Sequence, residues 1–522
     1  MTATHAPQQI HRSYDCVVIG AGNGGLAAAA QLAAKGVKVL LLEQHNLPGG
    51  FATSFVRGRF EFEAALHEFA DIGWPAKKGS VRQFLEDEVG AYVDWLEIPE
   101  AYRMILTDPG QEMDVTLPYG VEAYIDAVEK YVPGSRPSVT QMVELWNEVG
   151  EAFNYLAASR GNPDRKVLMD QYGNFLRTCP YSMDQVSRAL KVPDRAKDIL
   201  HAQWTYIGPP TSRQSFTIYA AMMNKFLNYS AFIPRHRSHQ FTSALEARIR
   251  ALGGHVEYNT RVEQILTEDG RVVGVMTSQG DRITTGHVIS NASPTLVYNH
   301  LLQPARDVPE TAYRECNARA GAVAGFVVYL GLDATLAQLG IHEYSIFVYA
   351  NMNTDAMYET FKRLAAPKVQ AVCCLNNAIP DCSPPGTSIL SITTLFCPEV
   401  WSGVQAEDYV GVKNQIALDL ITDLEKATGA KIKEHIEEIE VATPLTFARY
   451  TGSHGGVIYG YEPEPWDSLI PRLMSMADDK RIAGLEFCGG YSVRCHGYSS
   501  STMSGQLAAM LTLRSLNEEV PQ

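Results

Sequence analysis

The chain has 522 residues, 46% hydrophobic and 20% charged, with 44 basic against 58 acidic side chains for a net charge of −14. At roughly 150 residues per domain this length predicts two to four domains, and the composition is that of a globular protein. These values exclude a disordered or collagen-like chain, a disulfide scaffold and a basic nucleic-acid binder, and they weaken electrostatic docking on anionic lipid.

The first fourteen residues are polar, so no secretory signal is expected. Tyr14 to Ile19 (YDCVVI) reads as a buried parallel strand. It runs into Gly20-Ala21-Gly22-Asn23-Gly24-Gly25, a G-x-G-x-x-G pattern, then into the alanine-rich helix former Leu26 to Lys35 with Gly36 as a stop. Val37 to Glu43 reads as a second buried strand. In this order each residue has a task. Gly20 permits the turn, Gly22 lets the backbone approach a pyrophosphate, and Gly25 lets the helix pack on the sheet. The helix N-terminus attracts the anion. Glu43, 23 residues after Gly20, is placed to accept hydrogen bonds from ribose hydroxyls and to repel a 2′-phosphate.

A second glycine pair, Gly49-Gly50, follows so soon after Glu43 that the backbone is expected to run beside an extended dinucleotide. With it, the segment DCVVIGAGNGGLAAAAQLAAKGVKVLLLEQHNLPGGFATSF, continuing through Arg59-Phe60-Glu61-Phe62-Glu63, resembles the FAD-dependent carotenoid desaturase, carotenoid isomerase and retinol saturase family. The resemblance resumes at Gly253 to Ser293, read as three or four short strands, and at Gly484, which opens GLEFCGGYSVRCHGYSSSTMSGQLAAML. It implies FAD as cofactor. Val262 would touch the adenosine by its backbone, Asn291-Ala292 would end a strand near the cofactor, Gly489-Gly490 would end another, and a helix N-terminus near Ser504-Gly505 would face the flavin.

The chain departs from the family pattern twice. Ile233-Pro234-Arg235-His236-Arg237-Ser238-His239 stands where a Pro-x-Gly-Gly turn is usual, and Val493-Arg494-Cys495-His496-Gly497 where a glycine-rich turn is common. Both add polar bulk near the expected active site and argue against a pure hydrocarbon substrate.

Between the cofactor segments, helices are expected at Val81 to Val89, Val121 to Val132 and Val139 to Ala158, with an apolar run from Ile218 to Phe226. The later insertion mixes strands (Phe326 to Leu332, Ser391 to Phe396) with a helix from Val410 to Thr428. The apolar stretch from Ala318 to Leu332 is shorter than the ~20 residues of a membrane span and reads as a strand. Nine scattered cysteines form no CxxC pair, so they read as free thiols in a reducing cytoplasm, and no metal site is expected.

The expected fold is therefore α/β: a discontinuous Rossmann-type FAD-binding domain (1–75, 232–293 and 481–522) with a mixed α+β substrate domain built from two insertions (76–231 and 294–480). For chemistry at a carbon–carbon bond, the proton is assigned to His67, the first choice, or Glu68, because the retinol saturase branch carries a histidine at a similar position. Arg235, His454 and His496 are the candidate substrate contacts. Gly20, Gly22, Gly25, Glu43, Gly49, Gly50, Val262, Gly490 and Ser504 are the candidate cofactor contacts. The implied activity is hydride transfer to or from a carbon–carbon bond of a largely apolar, partly polar or anionic small molecule, by desaturation, saturation or isomerisation. An external electron donor or acceptor fits this scheme, and membrane contact would be peripheral at most; the oligomeric state stays open. Two alternatives also stay open: C–N dehydrogenation of the flavin amine oxidase type, and a non-catalytic protein stabilised by FAD.

Overall fold

In the computed structural model, which describes residues 12–159, 163–474, 482–493 and 495–519, the nucleotide motif forms as its sequence dictates. Strand β1 (Cys16–Ile19) leads through the glycine turn into α1 (Asn23–Ala34), which returns to β2 (Val39–Leu42). Residues Asn23 to Ala33 of α1 are all buried, which the small, alanine-rich sequence permits. Arg136–Ala158 (α2) and Phe216–Tyr229 (α3) are long helices, and Arg237–Ala251 (α4) leads to β3 (His255–Glu257). β4 (Val288–Ser290), β5 (Leu485–Phe487) and the final helix α5 (Tyr498–Glu519) complete this layer. The five strands form one all-parallel sheet in the order β3-β2-β1-β4-β5, drawn from three distant parts of the chain.

Between β3 and β4 the chain makes three further strands, Val262–Glu268, Arg271–Thr277 and Arg282–Thr284, joined in antiparallel fashion. The region read as three or four strands thus holds five. The expected helix at Val81 is a single α-turn, Ser80–Gln83, that continues as a π-helix, Phe84–Val89, and ends at left-handed Gly90.

A seven-stranded mixed sheet stands apart from the parallel one. Its strand order is Met113–Leu117, Tyr102–Leu106, Ser345–Tyr349, Val369–Cys374, Ser388–Phe396, Ala324–Leu332 and Ile436–Ala442. The period-two alternation of side chains divides its work. Phe326, Val328 and Leu330 pack with Ile416, Leu420 and Leu424 of the helix Ala406–Thr428. Val327, Ala371 and Thr393 line the central cavity. Among the described residues no helix is long and apolar enough to cross a membrane.

Helices α1 and α5 approach each other closely. A Cβ on Gly505 would lie 2.0 Å from the carbonyl oxygen of Gly24, closer than any packing allows. Gly505→Ala must therefore push two helices apart, and overpacking of this kind costs about 1–3 kcal/mol. The variant is expected to melt about 1–3 °C lower by calorimetry, and an unchanged melting temperature would contradict this packing.

Candidate active site

The glycine turn is held from several sides. Gly20 N donates to Leu42 O (2.8 Å), Ala21 N to the Glu43 carboxylate (2.6 Å), and Gly49 N to Ala21 O (2.7 Å). No side chain caps the first turn of α1, which leaves its N–H groups for an anion. Gly25 has the packing task assigned to it, since a Cβ there would lie 1.9 Å from Gly20 O. Asn291, just past β4, is the hub. Cβ atoms on Gly22, Gly24 and Gly489 would come within 2.4, 2.9 and 2.3 Å of its side-chain amide. Gly24, an unassigned position of the motif, is also where a Cβ would strike Gly489 N at 2.7 Å.

This cradle opens into a cavity of about 980 Å³ that runs on between α2, α3 and the seven-stranded sheet. Gly20, Gly22, Glu43, Gly49, Gly50, Val262, Asn291 and Gly490 line it, as do His67, Glu68 and His496. The glycine-lined approach, the acid at the ribose position and the uncapped helix terminus fit the pyrophosphate and ribose of a dinucleotide.

Other expected contacts lie elsewhere. Ser504 and Gly505 are inside α5, not at its N-terminus, because the helix already begins at Tyr498 after left-handed Gly497. It is Ser499, Ser500 and Ser501 that face the cavity, while the Ser504 hydroxyl accepts from Gly489 N (2.8 Å) and donates to Ser501 O. Arg235 lies off the cavity wall, 38% exposed and paired with Asp94 (3.1 Å) and Asp381 (3.7 Å). His454 is exposed on a 3₁₀ turn beside the cavity residues Ser453 and Val457. The first family departure therefore puts no cation in the cavity. Arg237 adopts the left-handed backbone that a glycine would favour (φ 69°), and its buried guanidinium ties Glu61 O to Cys382 O. In the second departure Cys495 and His496 do line the cavity, while Arg494 lies outside the described residues.

The polar wall is organised by Tyr206, the last residue of the short 3₁₀ segment Trp204–Tyr206. Its hydroxyl donates to Glu68 Oε1 (2.9 Å), its carbonyl accepts from His496 Nε2 (2.9 Å), and its ring meets His67 edge-on at 6.2 Å. His67 Nε2 is 3.1 Å from the Thr393 hydroxyl, and His496 stacks on Tyr459 at 4.4 Å. Glu68 Oε2 is buried with no hydrogen-bond partner among the described residues. Burial pushes Glu68 up to about 8 and both His67 and His496 down to about 4, so all three are predominantly uncharged at pH 7.

Fold and site together define a flavoprotein oxidoreductase with FAD as its cofactor. The family model of flavin containing amine oxidoreductases matches residues 24–509, and the chain belongs to that family. It is 24% identical over 498 residues to the zebrafish (Danio rerio) all-trans-retinol 13,14-reductase, covering 90% of this chain and 80% of that one. It is 26% identical over 520 residues to prolycopene isomerase 2, chloroplastic, of an Oncidium hybrid cultivar, covering 95% and 83%. Among solved structures, putrescine oxidase bound to putrescine superposes with a TM-score of 0.63 at 15% identity, covering 97% of this chain and all of that one, a likeness of fold alone.

Gly24→Ala tests the cradle. The added methyl separates the turn from Gly489, so the variant is expected to purify with less bound flavin per protein by absorbance. Full flavin content would contradict the close approach described here.

Proposed function

We propose that the protein exchanges a hydride with a carbon–carbon bond of a largely apolar small molecule, with Glu68 as the proton donor or acceptor. On this reading residues 1–75, 232–293 and 481–522 hold the cofactor, and 76–231 with 294–480 enclose the substrate. The support comes from the relatives and from one observation, the charge state of the cavity wall. Beyond the cofactor cradle that wall includes Phe153, Ile207, Ile218, Met222, Phe226 and Val327, with an uncharged carboxyl group and two uncharged imidazoles among them and the Lys225–Asp71 ion pair beside Asn154. Such a wall suits an alkene better than a cationic amine, which would need an ionised partner beside the reactive groups, and the cavity carboxylate Asp71 is already paired with Lys225.

FAD held in the cradle supplies the hydride exchange. The chain supplies the proton and the geometry. Because Glu68 Oε1 accepts from Tyr206, the neutral acid carries its proton on the buried Oε2, and saturation requires the carboxyl group of this cavity residue to turn that oxygen toward the substrate carbon. In the opposite direction the ionised form takes the proton up. Tyr206 also fixes His496 with Nε2 protonated, because its carbonyl can only accept. His67, neutral and bonded to the Thr393 hydroxyl, is a positioning group for the substrate in this scheme, and the proton donor expected of it passes to Glu68.

The sign of the pH dependence follows. In the saturating direction the rate is constant at low pH and falls as pH rises through about 8, where Glu68 loses its proton. Glu68→Gln keeps the acceptor for Tyr206 but has no acidic proton. It is expected to lower kcat by about 10²–10⁴-fold, to abolish that alkaline limb and to retain bound flavin. Stopped-flow reoxidation of the reduced flavin by a conjugated polyene, followed across pH, is the measurement. An unchanged rate and limb in the variant would remove Glu68 from the reaction. Flavin bleaching by amines but not by polyenes, or a flavin inert to both, would instead favour one of the two alternative classes.

A further inference from the structure

Ile218, Ala221, Met222 and Lys225 follow one another at helical spacing on α3, and all four line the cavity. The stripe is apolar until Lys225. There Nζ lies 3.2 Å from Asp71 Oδ1 and 3.1 Å from Asn154 Oδ1, and Asp71 Oδ1 also accepts from Ser80 N (3.1 Å). Asp71 is buried and held in a left-handed conformation (φ 63°), while Asn154 of α2 is exposed. The cavity wall therefore carries an ion pair beside the exposed Asn154, in addition to the polar groups of His67 and Glu68.

We propose that the Lys225–Asp71 pair binds the head group of the substrate, and that this head is uncharged and both donates and accepts hydrogen bonds, as a hydroxyl or a primary amide does. The inference rests on the apolar-substrate reading and adds the substrate's other end. A hydrocarbon lying against the pair removes its water and returns no hydrogen bond, which is costly for charged groups. A carboxylate is attracted by Lys225 but repelled by the adjoining Asp71, and an ammonium meets the reverse. The pair is neutral as a unit, so a group that accepts from Lys225 and donates to Asp71 is favoured over either ion. This selectivity comes from two residues that no cofactor motif contains.

The test uses the FAD-loaded protein and four ligands of equal chain length in the same detergent: a long-chain saturated alcohol, its primary amide, its alkane and its carboxylate. Dissociation constants come from the change in flavin absorbance and, independently, from thermal shift. The alcohol and amide are expected to bind at least about tenfold more tightly than the alkane and the carboxylate, the size of a hydrogen bond to a charged group. In the double variant Lys225→Met, Asp71→Asn the alcohol's advantage over the alkane should fall to about one. Asn keeps the acceptor for Ser80 N and tolerates the left-handed backbone. Equal binding of alkane or carboxylate by the unmodified protein, a preference that survives in the double variant, or no binding of any of the four overturns the inference. The two levels separate cleanly. A protein that selects the alcohol but never exchanges hydride with a polyene keeps the head-group site and loses the proposed reaction, whereas turnover of polyenes without head-group preference does the reverse.

Discussion

Everything in this molecule depends on how closely backbone can approach backbone around Asn291. The glycine turn after β1, the start of α1, the end of β4 and the Gly489 turn meet there, and a single Cβ at Gly22, Gly24 or Gly489 would collide with its amide or with main chain. This convergence brings three distant parts of the sequence into one parallel sheet, so the cofactor cradle cannot form piecemeal. Gly505 continues the same contact into α5, whose first turn delivers its serines to the cavity wall. The fold is thus organised from the nucleotide site outward.

From that fixed cradle the cavity extends into a region ruled by burial. The seven-stranded sheet and helices α2 and α3 enclose enough apolar surface that a carboxyl group and two imidazoles prefer their uncharged forms. One tyrosine, Tyr206, connects Glu68 through its hydroxyl and His496 through its carbonyl, so the orientation of both is set by a short 3₁₀ segment. The chemistry assigned to the site uses this neutrality: an acid that keeps its proton at pH 7 can give it to carbon, and uncharged groups around it admit an alkene.

The nucleotide half was legible in the sequence because its signals are local. Strand, glycines, helix, second strand and Glu43 occur in order, and each constrains its neighbours within a few residues. Legibility failed where position depends on distant packing. Ser504 looked like the start of a helix, yet the helix begins at Tyr498, because Gly497 and the serines after it already satisfy a turn. Arg235 looked like an anion anchor, but Asp94 and Asp381 hold it on the surface. In the sequence His67 stood ahead of its neighbour Glu68 by resemblance alone. Only the partners, Thr393 for one and Tyr206 for the other, distinguish them, and these lie 326 and 138 residues away. Lys225 and Asp71, far apart in the chain, carried no sequence signal at all.

The central claim, hydride exchange at a carbon–carbon bond, is tested most directly by isotope. Reduced holoenzyme prepared in deuterated water is mixed anaerobically with a conjugated polyene, and the recovered polyene is examined by mass spectrometry. The account predicts carbon-bound deuterium whether the net outcome is saturation or isomerisation, and much less of it with Glu68→Gln. A polyene recovered without deuterium, from a protein whose oxidised flavin is instead reduced by amines, would contradict it.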